Sequence, residues 1–455
     1  MEKRIGKESR RPTWVGLMLL LAVLCLRAGL WPAQPNPQNF NPVSFRLKNG
    51  LTVIVVEDSS LPVITAVMAY GVGSVNDPEG KDGLAYLMQN LMFQGSENVG
   101  PLQHLNYVQN VGGELNAATT FDKTFFYETV PSNQLGLVLW LEADRLHFLR
   151  VTEAILAREK ENLVRNEDKR YLQEPFSRYF FLIDQILYPD FRYGHSLTGS
   201  AESIRSISLE DVLRFYRKYY VPNNAVLCLS GDLKLARARE LVARYFETIP
   251  RGEEAEPYPQ PEFIPSLSAR DQVMVDPMVS SPALQFGIRL DNLRPEDGLV
   301  LRLMEQILVQ GGTSRLVGRL VKKERLALFL NGGLEERGQF QSLKIFLLAN
   351  TQVMVERARK VLADELNRLK TEMIPEREFI KAKNIYKFNY LNQITGNNLS
   401  RALALADLYL KEGRVPDVVG ELSRLEKLTP YAILALARRQ IREEKFCFLT
   451  ILPRY

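Results

Sequence analysis

GLAYLMQNLMFQG, residues 83–95, carries apolar side chains at Leu84, Leu87, Met88, Leu91 and Met92. That i, i+3, i+4, i+7, i+8 spacing marks one buried face of an α-helix. Tyr86, Gln89 and Asn90 fall on an adjoining face of the same helix. The segment recurs: LMQNLMFQG at 87–95 reads against LMEQILVQG at 303–311, and VTEAILAREKENLV from Val151 reads against IPEREFIKAKNIYK from Ile374. Chance likeness between amphipathic helices explains either match alone. Two landmarks in the same order with similar offsets indicate two copies of one α+β unit.

Length agrees with a duplication, since 455 residues fit two domains of about 200 residues each. Apolar residues make up 46% and charged residues 24%, the composition of a globular chain. The net charge of +5 is small and the basic residues are interspersed with acidic ones, which argues against nucleic acid as a partner. Lys3, Arg4, Lys7, Arg10 and Arg11 precede the apolar run Trp14 to Leu26, a basic n-region followed by an h-region. That run is short of the roughly 20 residues of a comfortable span, so residues 1–33 read as a cleaved export signal, with an uncleaved anchor as the alternative. Any membrane association is expected only through this segment, and the location is periplasmic or the outer side of the cytoplasmic membrane. Cys228 and Cys447 sit in apolar, strand-like runs; buried free thiols are the simpler reading, with a disulfide left open.

A Pro- and Asn-rich tether occupies 34–43. The first domain, 44–248, opens on SFRLKNGLTVIVVED, two strand patterns joined at Asn49-Gly50 in the manner of a hairpin. A third strand, the helix of 83–95, a helix near Leu102 to Gln109, and the strands ELNAATT and KTFFYETV follow. Ser132, Thr152 and Ser208 are expected to cap later helices. Residues 249–266 contain Pro250, Pro257, Pro259, Pro261 and Pro265, an extended linker, and the pattern restarts over 267–455.

GLAYLMQNLMFQGSE, GGELNAATTFDKTFFYETVP, LVLWLEADRL, ENLVRNEDKRYLQEP, YGHSLTGS, VLRFYRKYYVPNNAVLCLSGDL and GGTSRLVGRLVKKE together resemble the M16 peptidase family (insulinase, pitrilysin and mitochondrial processing peptidase), in its two-domain bacterial form, over nearly all of Asn41 to Tyr455. The resemblance implies an α+β fold of two homologous domains, each a mostly antiparallel sheet with packed helices, forming half of a clamshell closed by a second chain. Active members carry His-x-x-Glu-His on this helix, with two histidines on zinc and the glutamate as base, and a third ligand about 76 residues on. Carried over, the first histidine is Tyr86, the base Gln89, the second histidine Asn90 and the third ligand Glu167; the supporting acid seven residues before it is Lys160. Only Glu167 is retained.

A catalytic zinc site needs three ligands from His, Cys, Asp and Glu plus an open position. Neutral amides and a phenol are weak substitutes, Lys160 adds positive charge, and Gln89 cannot accept a proton as a base does. The resemblance therefore implies a non-catalytic homologue with no bound cofactor in a family that uses zinc, its Glu167 an ordinary salt-bridged side chain. His195 is expected to be structural, and His104 and His147 helix-surface or half-buried. An Arg and a Tyr that some zinc-less subunits lend to a partner correspond to Val321 and Leu328, so that contribution is lost as well. Arg315, Arg319 and Arg325 lie nearby, most simply as a basic helix face. Of a glycine-rich substrate loop at 310–314 only Gly311 and Gly312 remain. Peptide is expected along a sheet edge within Gly112 to Phe121, at Gly113, Glu114, Leu115, Asn116 and Ala117. The reading is an exported partner of an active M16 peptidase subunit that helps form its peptide chamber; the alternatives are a zinc endopeptidase with an unorthodox site and a structural assembly subunit.

Overall fold

The computed structural model describes residues 40–189, 192–254 and 270–454. The export segment, the tether up to residue 39 and the linker from 255 onward lie outside the described residues. From Asn41 the chain forms one compact unit built on two sheets. The first contains β1 (Val43–Arg46), β2 (Thr52–Glu57), β3 (Val63–Tyr70), β4 (Glu114–Thr119), β5 (Thr124–Pro131) and β6 (Ala225–Gly231), in the spatial order β1-β2-β6-β3-β5-β4. The second contains β7 (Arg270–Asp276), β8 (Ala283–Leu290), β9 (Phe329–Arg337), β10 (Phe340–Leu348) and β11 (Cys447–Pro453), in the order β7-β11-β8-β10-β9. Without β1 the two orders are the same permutation. Each sheet has one parallel pair, β2 with β6 and β7 with β11, and is otherwise antiparallel. The repeat read from two helices thus extends to strand order and direction.

The helices of the first half are α1 (Leu84–Leu91), α2 (Gln103–Asn110), α3 (Leu135–Phe148), α4 (Glu153–Gln173), α5 (Ser177–Leu187), α6 (Ala201–Ser206), α7 (Leu209–Tyr219) and α8 (Leu235–Phe246). Those of the second are α9 (Asp297–Leu308), α10 (Gln352–Thr371), α11 (Glu376–Thr395), α12 (Asn398–Glu412), α13 (Val418–Lys427) and α14 (Pro430–Gln440). Among the described residues no helix is long and apolar enough to cross a membrane.

The Asn49-Gly50 hairpin forms, with Gly50 at φ +97, a region that strains other residues. Asn49 Nδ2 donates to Phe246 O (2.7 Å) and Ile249 O (3.0 Å), tying the turn to the end of α8. Thr152 and Ser208 cap α4 and α7. Ser132 does not cap α3: it is the first residue of a 3-10 turn, Ser132–Gln134, and the helix starts at Leu135; its N–H bonds Pro62 O at 3.0 Å as an extension of the sheet. Cys228 and Cys447 are free and buried.

The halves exchange helices. α5 of the first half lies on β8 and β11, so close that a Cβ on Gly287 would stand 2.9 Å from Leu187 Cδ1. α12 of the second half lies on β3 and β6, where Arg401 reaches Asp58 (2.8 Å) and Ser230 Oγ (3.1 Å). Arg337, at the end of β9, is 1% exposed and bonds Asp184 Oδ2 of α5 at 2.6 Å, beside Glu335. Lys344 holds the other Asp184 oxygen at 2.6 Å, and the Arg337 guanidinium lies 3.8 Å over the Phe121 ring.

Removing one member of a buried ion pair strands the other charge away from water. Asp184→Ala is accordingly expected to cost about 3–5 kcal/mol in urea unfolding, whereas Arg214→Ala, which breaks an exposed pair with Glu210, should cost about 0–1 kcal/mol.

Candidate functional site

Helix α1 is set in place at its first turn. The Asp77 carboxylate accepts the N–H groups of Gly83 and Ala85, both at 2.8 Å, satisfying donors that a helix start leaves free. Burial raises the Asp77 carboxyl above its ordinary range, against the opposing pull of His195 and the two N–H donors. His195 Nε2 stands 3.8 Å from Asp77 Oδ2, and its loop closes on Gly83, where an added Cβ would come within 2.5 Å of Thr198 O. The YGHSLTGS segment therefore braces the helix start.

Further along, α1 packs against α4 and β4, which places the family's metal positions on one helix pair. Three of the five polar heads there, Gln89, Lys160 and Glu167, have partners in the fold. Gln89 Oε1 accepts the Thr119 hydroxyl at 2.8 Å, fastening the end of β4. Tyr86 packs against the first core and Asn90 is half-buried. Lys160 Nζ donates to Arg205 O and Ile207 O, both at 2.7 Å, closing the C-terminal end of α6. Partial burial lowers the Lys160 pKa. Glu167 accepts Arg170 Nη2 at 2.6 Å; burial raises its carboxyl and Arg170 opposes the rise.

Sequence reasoning passed over Glu159, the buried acid of α4, which accepts Asn162 Nδ2 at 3.3 Å and pairs with Arg158 at 3.2 Å. Seven residues beyond it stands Asn166, so a register one residue earlier pairs Glu159 with Asn166 in place of Lys160 with Glu167. Either register offers a single carboxylate together with amides and a phenol, which does not fit the donor set of a zinc site.

The second copy does the same mechanical work with different residues. Arg302, Glu305 and Gln306 on α9 match Tyr86, Gln89 and Asn90. Glu305 Oε1 accepts Leu334 N–H at 2.9 Å and Gln310 Nε2 donates to Gly332 O at 3.1 Å, pinning β9 as Gln89 pins β4. Val321 packs against the second core within a π-helix, Val317–Lys323. Leu328, 53% exposed, stands just before β9. Arg315 and Arg319 are paired with Glu378 and Glu324.

β4 is the outer strand of its sheet and pairs with β5 alone. Gly113 leads into it where a Cβ would meet Val130 Cγ1 at 2.6 Å. Thr120 N–H bonds Lys123 O (2.8 Å), so alternate residues continue the ladder and the N–H groups of Leu115, Ala117 and Thr119 point outward. Asn116 Oδ1 covers the Ala117 N–H at 2.8 Å, and Asn331 Oδ1 covers the Gly332 N–H of β9 at 2.9 Å. Glu114, Asn116 and Ala118 are exposed.

His104 departs from the expected surface position: it is 4% exposed and paired with Glu128. With Glu142 the three donors lie within 4.8 Å of one another. A metal does not fit there, because Arg145 Nε (3.0 Å) and Nη2 occupy both Glu142 oxygens and put a cation in the cluster. A signal was available in FFYETV, whose alternation sets Glu128 on the core face between Phe126 and Val130.

Lys160→Glu, the acid that the family pattern wants, would turn a carboxylate toward two carbonyl oxygens. It is expected to lower stability by about 1–3 kcal/mol, read as the urea midpoint against Lys160→Met.

Comparison with known sequences and structures agrees with this scaffold. The insulinase (peptidase family M16) domain matches residues 52–200, and the domain described as peptidase M16 inactive domain matches residues 206–386. The second description covers none of Tyr86, Gln89, Asn90, Lys160 and Glu167. A zinc protease PqqE of Helicobacter pylori is 27% identical over 389 residues, 84% of this chain and 86% of that protein. The mitochondrial-processing peptidase subunit beta of Bos taurus is 27% identical over 202 residues, 44% of this chain and 40% of that one. The crystal structure of a protease from Helicobacter pylori superposes with a TM-score of 0.83 at 23% identity, covering 91% of this chain and 100% of that one. With duplicated sheets, paired edge strands and matched domains in both halves, the chain belongs to the M16 peptidase family.

Proposed function

We propose that this chain is a non-catalytic M16 homologue that holds extended polypeptide along the β4 edge and works beside a zinc-bearing M16 subunit. One observation carries the reading: Tyr86 and Asn90 stand where the zinc histidines would, and the side chains at the base, supporting-acid and third-ligand positions are engaged inside the fold, Gln89 with Thr119, Lys160 with the end of α6, and Glu167 with Arg170. None can serve as ligand set and base together, so the chain binds no zinc at this position. The outward N–H groups at Leu115, Ala117 and Thr119 support peptide capture, which needs backbone pairing more than particular side chains. That a relative is named a subunit supports a partner chain. The basic and apolar N-terminus, Lys3 to Leu26, supports export, with the chain released or anchored on the outer side of the cytoplasmic membrane.

A second reading, zinc endopeptidase with an unorthodox site, is favoured by the name of the zinc protease relative, and turnover separates the two. The test is calorimetric binding of an unfolded polypeptide such as reduced, carboxymethylated lactalbumin, with its hydrolysis followed in the same samples. Binding without hydrolysis is expected. Ala117→Pro, which deletes an outward N–H that Asn116 Oδ1 covers until a peptide carbonyl displaces it, and does so without touching the ladder, should weaken binding by up to about tenfold, since losing one backbone bond costs at most about 1.4 kcal/mol. Hydrolysis by the isolated chain, or undiminished binding by Ala117→Pro, would contradict the reading.

A further inference from the structure

We propose that His104, Glu128, Glu142 and Arg145 hold one proton in common, and that its release above neutral pH loosens α2 and the β4 edge that follows it. The four side chains come from α2, β5 and α3 and are 4%, 1%, 1% and 2% exposed. Count the charges: with both carboxylates ionised and the imidazole neutral, one guanidinium leaves the pocket at a net −1 with no water to share it. A single added proton, on a carboxyl or on the ring, restores neutrality.

The hydrogen bonds leave room for that proton and for no other counter-ion. Glu142 is engaged by Arg145, Glu128 Oε1 by His104, and Glu128 Oε2 has no hydrogen-bond partner among the described residues. Rings of Phe93 (5.2 Å) and Phe126 (4.2 Å) cover the guanidinium. The other charged or titratable groups around the cluster do not supply compensation. Asp144 is turned to Ser96 and Asn98, Tyr216 donates its hydroxyl to Arg145 O and Leu146 O, and burial raises Tyr70, Tyr216 and Tyr220 so that they stay neutral.

Burial pushes Glu128 and Glu142 up to about 7 and His104 down to about 3, so the proton rests on the carboxyl side. The sign follows. A carboxyl raised from 4.5 to about 7 contributes stability that is full below 4.5 and is lost as pH rises through about 7. His104, lowered from 6.5, contributes in the opposite sense, its stability being present above 6.5 and lost as pH falls towards about 3. The Glu142 rise includes the charge of Glu128, so the two carboxyls titrate as a pair; the folded cluster is neutral while one of them holds the proton and anionic once that proton is lost above about 7.

α2 is where the charge would act. Among its eight residues only His104 and Val108 are buried, and its start is strained, with Leu102 at φ +60. The helix packs on β4 and runs into it through Gly112 and Gly113. A negative charge beneath one of two anchors weakens the hold on the strand. The consequence for peptide capture rests on the function proposed above; the proton does not.

The test uses the full chain. Infrared spectra should show a carboxylic-acid carbonyl band at about pH 6 that is gone by about pH 8.5. Over the same interval, hydrogen exchange of amides 103–119, corrected for intrinsic rates, should speed up about tenfold, and Glu128→Gln should flatten that step. Absence of the band at the lower pH, or the same step in Glu128→Gln, would overturn the proposal. Burial also raises the Asp77 and Glu167 carboxyls, so if the variant does not fold, loss of the band in Glu142→Gln decides, and its persistence there would overturn the proposal. A band and step that titrate as expected in a chain that binds no peptide at either pH would support the proton and sink the function proposed above.

Discussion

The ion pair of Arg337 with Asp184 is the closure on which the arrangement of the two halves depends. Each half leaves one sheet face uncovered by its own helices, and the other half covers it, α5 on the second sheet and α12 on the first. Such an exchange succeeds only if the polar groups carried into the junction are satisfied there. Asp184 faces both Arg337 and Lys344, and Glu335 serves both cations, so the charges meet in pairs. Tyr193 bonds Asp122 (2.5 Å) and Asp122 also receives Gly338 N–H (3.0 Å), which sets the first half's β4–β5 turn against the β9–β10 turn. The turn at the end of β4 is thereby fastened to the second half.

Three of the carried-over positions make structural contacts. Gln89 fastens an edge strand, Lys160 closes a short helix, and Glu167 sits in an i, i+3 pair. The second copy shows how natural this use is, since Glu305, at the position of Gln89, also fastens an edge strand by a hydrogen bond. The position reaches the edge strand whichever residue stands there: Gln89 presents an amide oxygen to it and Glu305 a carboxylate oxygen. The side chains at this helix pair do not make up a zinc donor set, while the contact that fastens the edge strand is made in both copies.

Much of the fold was legible because apolar periodicity reports burial directly. The helix of 83–95, its echo at 303–311 and the Asn49-Gly50 turn all rest on that signal or on the φ that glycine permits. The boundary at Ser132 was not, because a cap is made by the serine side-chain oxygen on the following N–H groups, and here Ser132 already lies inside a 3-10 turn, Ser132–Gln134, that precedes the helix. The degenerate positions were read by alignment and not from local chemistry, so their new partners, Thr119, Arg205 and Ile207, came only with tertiary contacts of long sequence separation. His104 was misplaced for the same reason: a lone histidine on a polar helix gives no warning of a buried glutamate 24 residues on.

The central claim is that no zinc is held between α1 and α4. Elemental analysis of the purified chain, after exposure to excess zinc and desalting, tests it most directly. Near-zero metal is the result that the structure of this helix pair predicts. Stoichiometric zinc that is lost in Glu167→Ala would contradict it, and would make the chain a peptidase to be assayed alone.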